Sequence, residues 1–358
     1  MRCSVLKWFR FSILHLCFVL TYLLIHLNAE FFGSFQILFA LPASGVVNRF
    51  EKKEKVMRVE IKTIFCATDI SDFSNHAVSW GIALAQEFRA KLYVCHVVDF
   101  PTSITYGDGP IFFVDQQSQA IGNANHQLKQ LVGDKKVQWE PLVSIGHAGD
   151  EISRLAKEKG ADLAISATHG RSGLKRLILG SVTERLMRTL HCPLLIVRGP
   201  KHDLNILSEQ GLRFKKILVG CDFSKDSALA LQHGLSLAQE FQSELHLVHV
   251  MEPLVYMDMF KVSAGYGEEF QVDIQPQIKD KLKNMVPTEA FNWCTPKTVL
   301  LNGPSHEELI RYSKINKMDL IVLGVRGQGL VERLFIGSTT DRVVRQTPCP
   351  VLSVCLPE

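Results

Sequence analysis

One pattern occurs twice in this chain at a fixed separation. Ala167-Thr168-His169-Gly170, nine residues, then Gly180-Ser181 returns as Gly324-Val325-Arg326-Gly327, nine residues, then Gly337-Ser338. Each copy runs on into a similar ending, His191-Cys192-Pro193 before LLIV and Pro348-Cys349-Pro350 before VLSV. Gly170 and Gly327, Ser181 and Ser338, and Pro193 and Pro350 are each 157 residues apart. Upstream, the ALAQEF run from Ala83 returns as SLAQEF from Ser236, and Asp69 returns as Asp222, now 153 residues apart. The four-residue difference is an insertion inside one copy. A repeat of this length fixes the domain count before any local motif is weighed.

The repeat predicts residues 57–198 and 214–358 as two domains joined by a short polar segment, 199–213. Units of about 140 residues are large enough for one hydrophobic core each. Residues 1–56 are a different kind of polymer. Arg2, Lys7 and Arg10 precede an apolar run from Phe11 to Leu27, and a second run covers Phe31 to Leu41. A membrane anchor and an exported leader both fit that pattern. The favoured expectation is a start near Met57, just before the first strand, with a cytoplasmic product; membrane association then follows only if residues 1–56 are real.

The formal charge of +4 comes wholly from residues 1–56, which hold seven Lys or Arg against three Asp or Glu. The remainder balances, which disfavours a uniformly basic nucleic-acid-binding surface. Nine cysteines form no compact ligand cluster. Cys66, Cys95 and Cys221 lie in apolar strand runs and read as small buried hydrophobes; Cys192 and Cys349 recur by duplication and read as structural. No metal site is expected.

Within each unit, short apolar runs alternate with segments of helical period. In the first, strands are predicted at 61–67, 92–98, 137–143, 163–167 and 194–197, with a helix carrying Ala77, Trp80, Gly81, Leu84, Ala85 and Phe88 on one buried face, and further helices at about 117–132, 149–159 and from Ser181. The second repeats them at 217–220, 245–250, 297–301, 320–323 and 351–354, with helices ending at Phe241, over 274–285, and from Ser305 and Ser338. Ser71 or Ser74 is expected to cap the first helix. Nearly continuous apolar strands require helices on both sheet faces, so each unit is read as an open, five-stranded parallel α/β domain. In such sheets the crevice lies beyond the strand C-termini where strand order reverses.

The features expected to meet there are the ends of strands one and two and the glycine loop. Glycine permits positive φ and close approach, so Gly327, Gly329 and Gly337 are expected to turn backbone N–H groups toward an anion. The helix beginning at Ser338 adds free N–H groups and partial positive charge. Ser338 reads either as a phosphate-contacting hydroxyl or as a helix cap. Asp222 lies outside this nest, at the mouth of strand one; it suits a donor such as an adenine amino group or ribose hydroxyl, or else it caps the next helix through Ser224. Arg326 adds charge near phosphates or stands exposed at the loop tip. The loop lacks the Gly-Lys-Ser/Thr ending of triphosphate hydrolases, and no general-base constellation accompanies either aspartate.

Taken together, the motif Gly-x2-Gly-x9-Gly-Ser, the strand-one Asp, the His-Val pair ending strand two and the Cys-Pro-x-Leu ending resemble the universal stress protein family, over residues 58–355. The second unit matches in full through Gly324, Gly327, Gly337 and Ser338. The first departs at Ala167, and both lack the proline often found two residues before the aspartate, having Ala67 and Gly220 there. The resemblance implies nucleotide-binding domains paired through their last strands, Leu194–Val197 against Val351–Val354, as a pseudo-dimer within one chain; a homodimer is a further option. It implies an ATP site, with ADP or AMP as alternatives and Mg2+ as an option with ATP. Asp222 and Val250 would contact adenosine, and Gly327, Gly337 and Ser338 would hold phosphates; Asp69, Val97, Gly170, Gly180 and Ser181 would take the same roles in the first unit. The implied role is a stress-response regulator without efficient catalysis. The competing readings are an assembly module that binds no nucleotide and a slow ATPase or phosphoryl-transfer enzyme.

Overall fold

The computed structural model describes residues 59–99, 110–168, 179–199, 206–208, 211–252, 269–327 and 336–356. The first half runs β1 (Thr63–Ala67), α1 (Asp72–Phe88), β2 (Lys91–Val98), α2 (Pro110–Val132), β3 (Trp139–Ile145), α3 (Ala148–Glu158), β4 (Leu163–Ala167), α4 (Ser181–Thr189) and β5 (Leu194–Val197). Two short strands follow, β6 (Leu207–Ser208) and β7 (Gly211–Leu212). The second half repeats the order: β8 (Lys216–Gly220), α5 (Lys225–Phe241), β9 (Glu244–Met251), α6 (Glu269–Asn284), β10 (Thr295–Asn302), α7 (Ser305–Ile315), β11 (Leu320–Gly324), α8 (Ser338–Gln346) and β12 (Val351–Val354). A 3-10 turn, Thr288–Asn292, precedes β10.

All ten long strands form one sheet in the order β10-β9-β8-β11-β12-β5-β4-β1-β2-β3. Within each half every pairing is parallel; the halves meet through β5 and β12, which run antiparallel with Leu195 opposite Leu352. The expected fold class and last-strand pairing are therefore what the chain adopts. Strand order reverses between β1 and β4, and between β8 and β11, so each half has a crevice at those strand ends. The outermost strands each carry a proline, Pro141 in β3 and Pro296 in β10. A residue without an N–H weakens a sheet edge as a template for further pairing.

Several details differ from the sequence reading. The apolar side chains do pack into two clusters, but these are divided by sheet face, and each runs through both halves. A continuous sheet has two apolar faces, and that overrides the repeat boundary. The join is not simply polar: β6 and β7 pair antiparallel, Ile206 and Leu212 are buried, and Phe214 stacks on Trp80 at 5.9 Å and meets Phe241 edge-on at 5.1 Å. Helix α2 starts at Pro110, seven residues earlier than expected, because proline is accommodated in a first helical turn. Helix α6 extends upstream of Pro276, and β3 begins only at Trp139.

The helix ends repeat with the sequence. Ser71 caps α1 in a reciprocal box with Ser74, and Ser224 caps α5 by accepting the Ser227 N–H at 3.1 Å. Arg89 and Gln242, also 153 residues apart, both close their helices in the left-handed conformation. Among the described residues no helix is long and apolar enough to cross a membrane. The apolar runs beginning at Phe11 and Phe31 lie outside the described residues.

Candidate functional site

Strand β8 ends at Gly220, and the chain must turn sharply to enter α5. Phe223 makes the turn at φ 62°, as Ile70 does at φ 63° in the first half. A bulky residue in that region is strained, and strain of this kind persists only where surrounding contacts enforce it. The enforcing contacts include the histidine near the end of the neighbouring strand. His249 Nδ1 lies 2.7 Å from the Cys221 carbonyl oxygen, and His96 Nδ1 lies 2.9 Å from that of Thr68. A carbonyl only accepts, so Nδ1 carries the proton in both. The His249 ring also packs on Phe223 at 4.6 Å. These histidines therefore stitch two strand ends together, and Val250 and Val97, the next residues along, line the clefts.

The turn places Asp222 closer to the glycine loop than its position along the chain suggested. Its Oδ1 accepts the Ser224 N–H at 3.0 Å, which is the local role foreseen as an alternative. Its Oδ2 lies only 3.0 Å from where a Cβ on Gly327 would sit. Strand end and loop thus form one wall. In the first half the Asp69 carboxylate is held more tightly by its own helix cap: the Ser71 N–H and hydroxyl reach Oδ1 at 3.0 and 2.5 Å, and the Ser74 hydroxyl donates to it as well.

Of the two properties expected of the glycines, positive φ is not used at the described positions. None of Gly180, Gly324, Gly327 and Gly337 has a positive φ. What Gly324 and Gly337 provide is room. A Cβ on Gly324 would stand 2.8 Å from the backbone carbon and Cβ of Asp226, and one on Gly337 would stand 3.2 Å from the Val325 carbonyl oxygen. That carbonyl accepts the Gly337 N–H at 2.8 Å, closing the loop onto the start of α8. Gly337 is the N-cap and makes no side-chain cap; Ser338 is the first helical residue, so Ser338 does not cap this helix. The N-cap therefore offers the first-turn N–H groups of α8 no side-chain acceptor, at the positive end of the helix dipole. Gly180 and Ser181 occupy the same places on α4.

Arg326 does not stand exposed at a loop tip; it lines the second cleft with its charge paired. Its guanidinium pairs with Asp226, Nε to Oδ2 at 2.9 Å and Nη2 to Oδ1 at 3.1 Å, and the pair holds the arginine charge above its ordinary pKa. Other contributors that the motif did not announce are Thr340 and Thr183, each donating a hydroxyl at 2.7 Å to the carbonyl of the last residue of the preceding strand, Gly324 or Ala167. Their 157-residue separation was the available signal. Ser305, at the start of α7, also lines the second cleft, and its N–H donates to Glu252 Oε1 at 3.0 Å. That contact, with the serine hydroxyl, holds the Glu252 carboxyl below the usual range.

The second cleft, about 1010 Å³, brings Asp222, Val250, Gly324, Gly327, Gly337 and Ser338 together. The first, about 870 Å³, is lined by Asp69, Val97, Ala167, Gly180 and Ser181, so alanine at 167 does not close it. Gly170 and Gly329 lie outside the described residues. The second cleft offers a carboxylate acceptor and uncapped helix donors in one depression, which suits a ligand carrying both donor groups and an anion. Among the described residues that line it, Arg326 is the only lysine or arginine. Among the described residues no group of three or more His, Cys, Asp or Glu is placed to hold a metal. Burial pushes the Cys66 and Cys221 thiols up, Cys95 and Cys192 to about 12 and Cys349 to about 11, away from thiolate chemistry.

Comparison with known proteins agrees with this construction. The profile described as the universal stress protein family matches residues 60–198 and again 213–354. Universal stress protein Slr1230 of Synechocystis is 43% identical over 320 residues, covering 82% of this chain and 99% of that one. Universal stress protein MJ0531 of Methanocaldococcus jannaschii is 33% identical over 144 residues, 40% of this chain and 85% of its own. Among solved structures, a universal stress protein from Archaeoglobus fulgidus superposes with a TM-score of 0.58 at 20% identity, covering 82% of this chain and 98% of that one, a likeness of fold. With two profile matches spanning most of the sequence and a tandem relative aligned nearly end to end, the chain belongs to the universal stress protein family.

Proposed function

We propose that the second cleft binds an adenine nucleotide, ATP with ADP or AMP as alternatives, and that the chain serves as a cytoplasmic regulator in the stress response without efficient turnover. The observation that carries this reading is the first turn of α8, which lacks a side-chain cap and opens into the same cleft as Asp222. Gly327 and Ser338 donate to the phosphates and Gly337, whose own N–H is taken by the Val325 carbonyl, leaves them room to approach, while Asp222 and Val250 meet the nucleoside. Mg2+ accompanies ATP through the phosphates. A nucleotide supplies exactly the complementary pair of groups: exocyclic amine and hydroxyl donors at one end and an anion at the other. The motif lacks the Gly-Lys-Ser/Thr ending of triphosphate hydrolases, and among the described lining residues there is no lysine, which supports binding over phosphoryl transfer.

Calorimetric titration with ATP, ADP and AMP, with and without Mg2+, tests the reading; no heat at millimolar nucleotide would end it. The second cleft fills before the first, since Asp69 is engaged by two cap hydroxyls and Ala167 stands where Gly324 does in the second half. Asp222→Ala therefore weakens binding more than Asp69→Ala. Phosphate release at the same low rate from wild type and Asp222→Ala is the expected result of a turnover assay. Fractionation of the native cell tests the location, with recovery in membranes as the contrary outcome.

A further inference from the structure

Arg326 stands in the glycine loop, between two glycines of the motif, yet its charge is committed elsewhere. Three contacts bind it to the first turn of α5. The guanidinium makes the two-point pair with Asp226 described above; the Arg326 backbone N–H donates to Asp226 Oδ2 at 3.1 Å; and the Ser224 hydroxyl donates to the Arg326 carbonyl at 3.4 Å. Both backbone polar groups and the side chain of one loop residue are thus held by a single helix end. Asp226 is 4% exposed and Arg326 18%. A buried carboxylate is stable only when its charge is matched and its oxygens accept hydrogen bonds, and among the described residues Arg326 meets both conditions.

Gly324 is the third member of this unit. Its missing side chain leaves the space in which the Asp226 backbone lies. In the first half the three equivalent positions are Phe73, Ala167 and His169, so all three members are replaced together. A contact that served only to fold a universal stress protein domain would be needed in both halves. This one is confined to the half in which the glycine motif is complete.

We propose that Asp226 is a positioning residue for the second cleft: through Arg326 it fixes Val325–Gly327, just past the end of β11, in the geometry that receives an anionic ligand group. The arginine acts on the ligand indirectly, by holding the backbone beside Gly327, and the glycine at 324 exists to admit Asp226. This rests on the nucleotide reading above for the identity of the ligand, whereas the fixing of the loop does not depend on it.

The test uses the full chain, wild type and Asp226→Asn, with two measurements. Hydrogen exchange without ligand reads the loop directly: the amides around Val325–Gly327 exchange faster in Asp226→Asn, while those of β1 and β4 do not change. Titration with ATP and with adenosine reads the consequence: ATP affinity falls about tenfold, as expected when a loop must be ordered on binding, and adenosine affinity is unchanged. Unchanged exchange in the loop overturns the proposal. Equal weakening of ATP and adenosine overturns it too, since that marks a general structural defect, and so does tighter ATP binding, which would mean that a released Arg326 contacts phosphate itself. If neither protein binds ATP but the loop exchange rises, the nucleotide reading fails and the positioning role stands. Should Asp226→Asn not fold, Arg326→Lys retains the charge and loses the two-point geometry, and an intermediate rise in loop exchange is expected.

Discussion

Gly324 and Ala167 occupy equivalent positions, and one methyl group separates the two halves there. In the second half that methyl would press on the Asp226 backbone at 2.8 Å, a distance that forces the helix end or the strand to move. Overpacking of this kind costs about 1–3 kcal/mol, so Gly324→Ala lowers the denaturation midpoint accordingly. The reverse change, Ala167→Gly, removes one buried methyl and alters stability by about 1 kcal/mol or less. Urea titration of both variants checks the asymmetry, and equal losses would show that the Asp226 contact does not set it. Residues such as these mark the limit of what the sequence made legible. Asp222, Val250, Gly337 and Ser338 were readable because they recur at constant separation beside strand ends. Asp226 was not, because it has no counterpart in the first half and sits inside an ordinary helical period. The role of the glycines was misread for a related reason: sequence cannot distinguish a glycine that needs positive φ from one that needs empty space.

At the level of elements, the order of the long strands and helices was legible because each apolar run is short and bounded by turn residues, whereas the two-residue strands β6 and β7 are too short to show a period. Boundaries shifted where an end is set by a tertiary contact, as in β3, or where a proline is tolerated in a first turn, as in α2. The element with the most consequence for the site is α8. Its N-cap is a glycine, which gives up the side-chain bond that serine or aspartate would make to the first-turn N–H groups. Gly337→Asp separates the helix from the ligand. The new carboxylate can accept those N–H bonds, which offsets the tight 3.2 Å approach to the Val325 carbonyl, and stability stays within about 1 kcal/mol of wild type. The same carboxylate occupies the anion position and repels phosphate, so ATP binding weakens by more than about a hundredfold. Thermal denaturation and ATP titration on one sample check both halves of the statement. Retained ATP affinity would move the phosphate site away from α8.

Across the whole molecule, the two halves are held as one body. Both apolar clusters cross the β5–β12 seam, Val59 N–H donates to Ser236 Oγ at 3.1 Å from the other half, and Phe214, just after the join, packs between Trp80 and Phe241. The repeat alone announced two domains; the pairing of their last strands came only with the family resemblance, because the seam is made by ordinary apolar residues whose partners lie across the pseudo-two-fold axis. A cavity at the seam is lined by Leu84, Phe88, Phe214 and Leu352 together with His233 and Asp162. Asp162 is occupied, accepting the Lys62 and Thr63 N–H groups at 2.8 and 2.9 Å. Burial alone lowers His233 to about 4, from 6.5 when unfolded. The unfolded chain therefore takes up a proton on this side chain at a higher pH than the folded one does. Its contribution to stability is complete above pH 6.5, declines as the pH falls, and is exhausted at about 4, a total of up to about 3 kcal/mol. His246, lowered mainly by burial, slopes in the same direction, whereas Glu244, held down to about 2 chiefly by its bond to Lys297 and then by His246, matters mainly below the ordinary carboxylate range of about 4.5. Replacing His233 with phenylalanine, which suits the apolar wall, should therefore flatten the fall in stability between pH 6.5 and 4.5 without abolishing it. Denaturation midpoints measured across that window decide the matter, and parallel curves for wild type and His233→Phe would show that the seam is open to protons and that His233 titrates as it does in water.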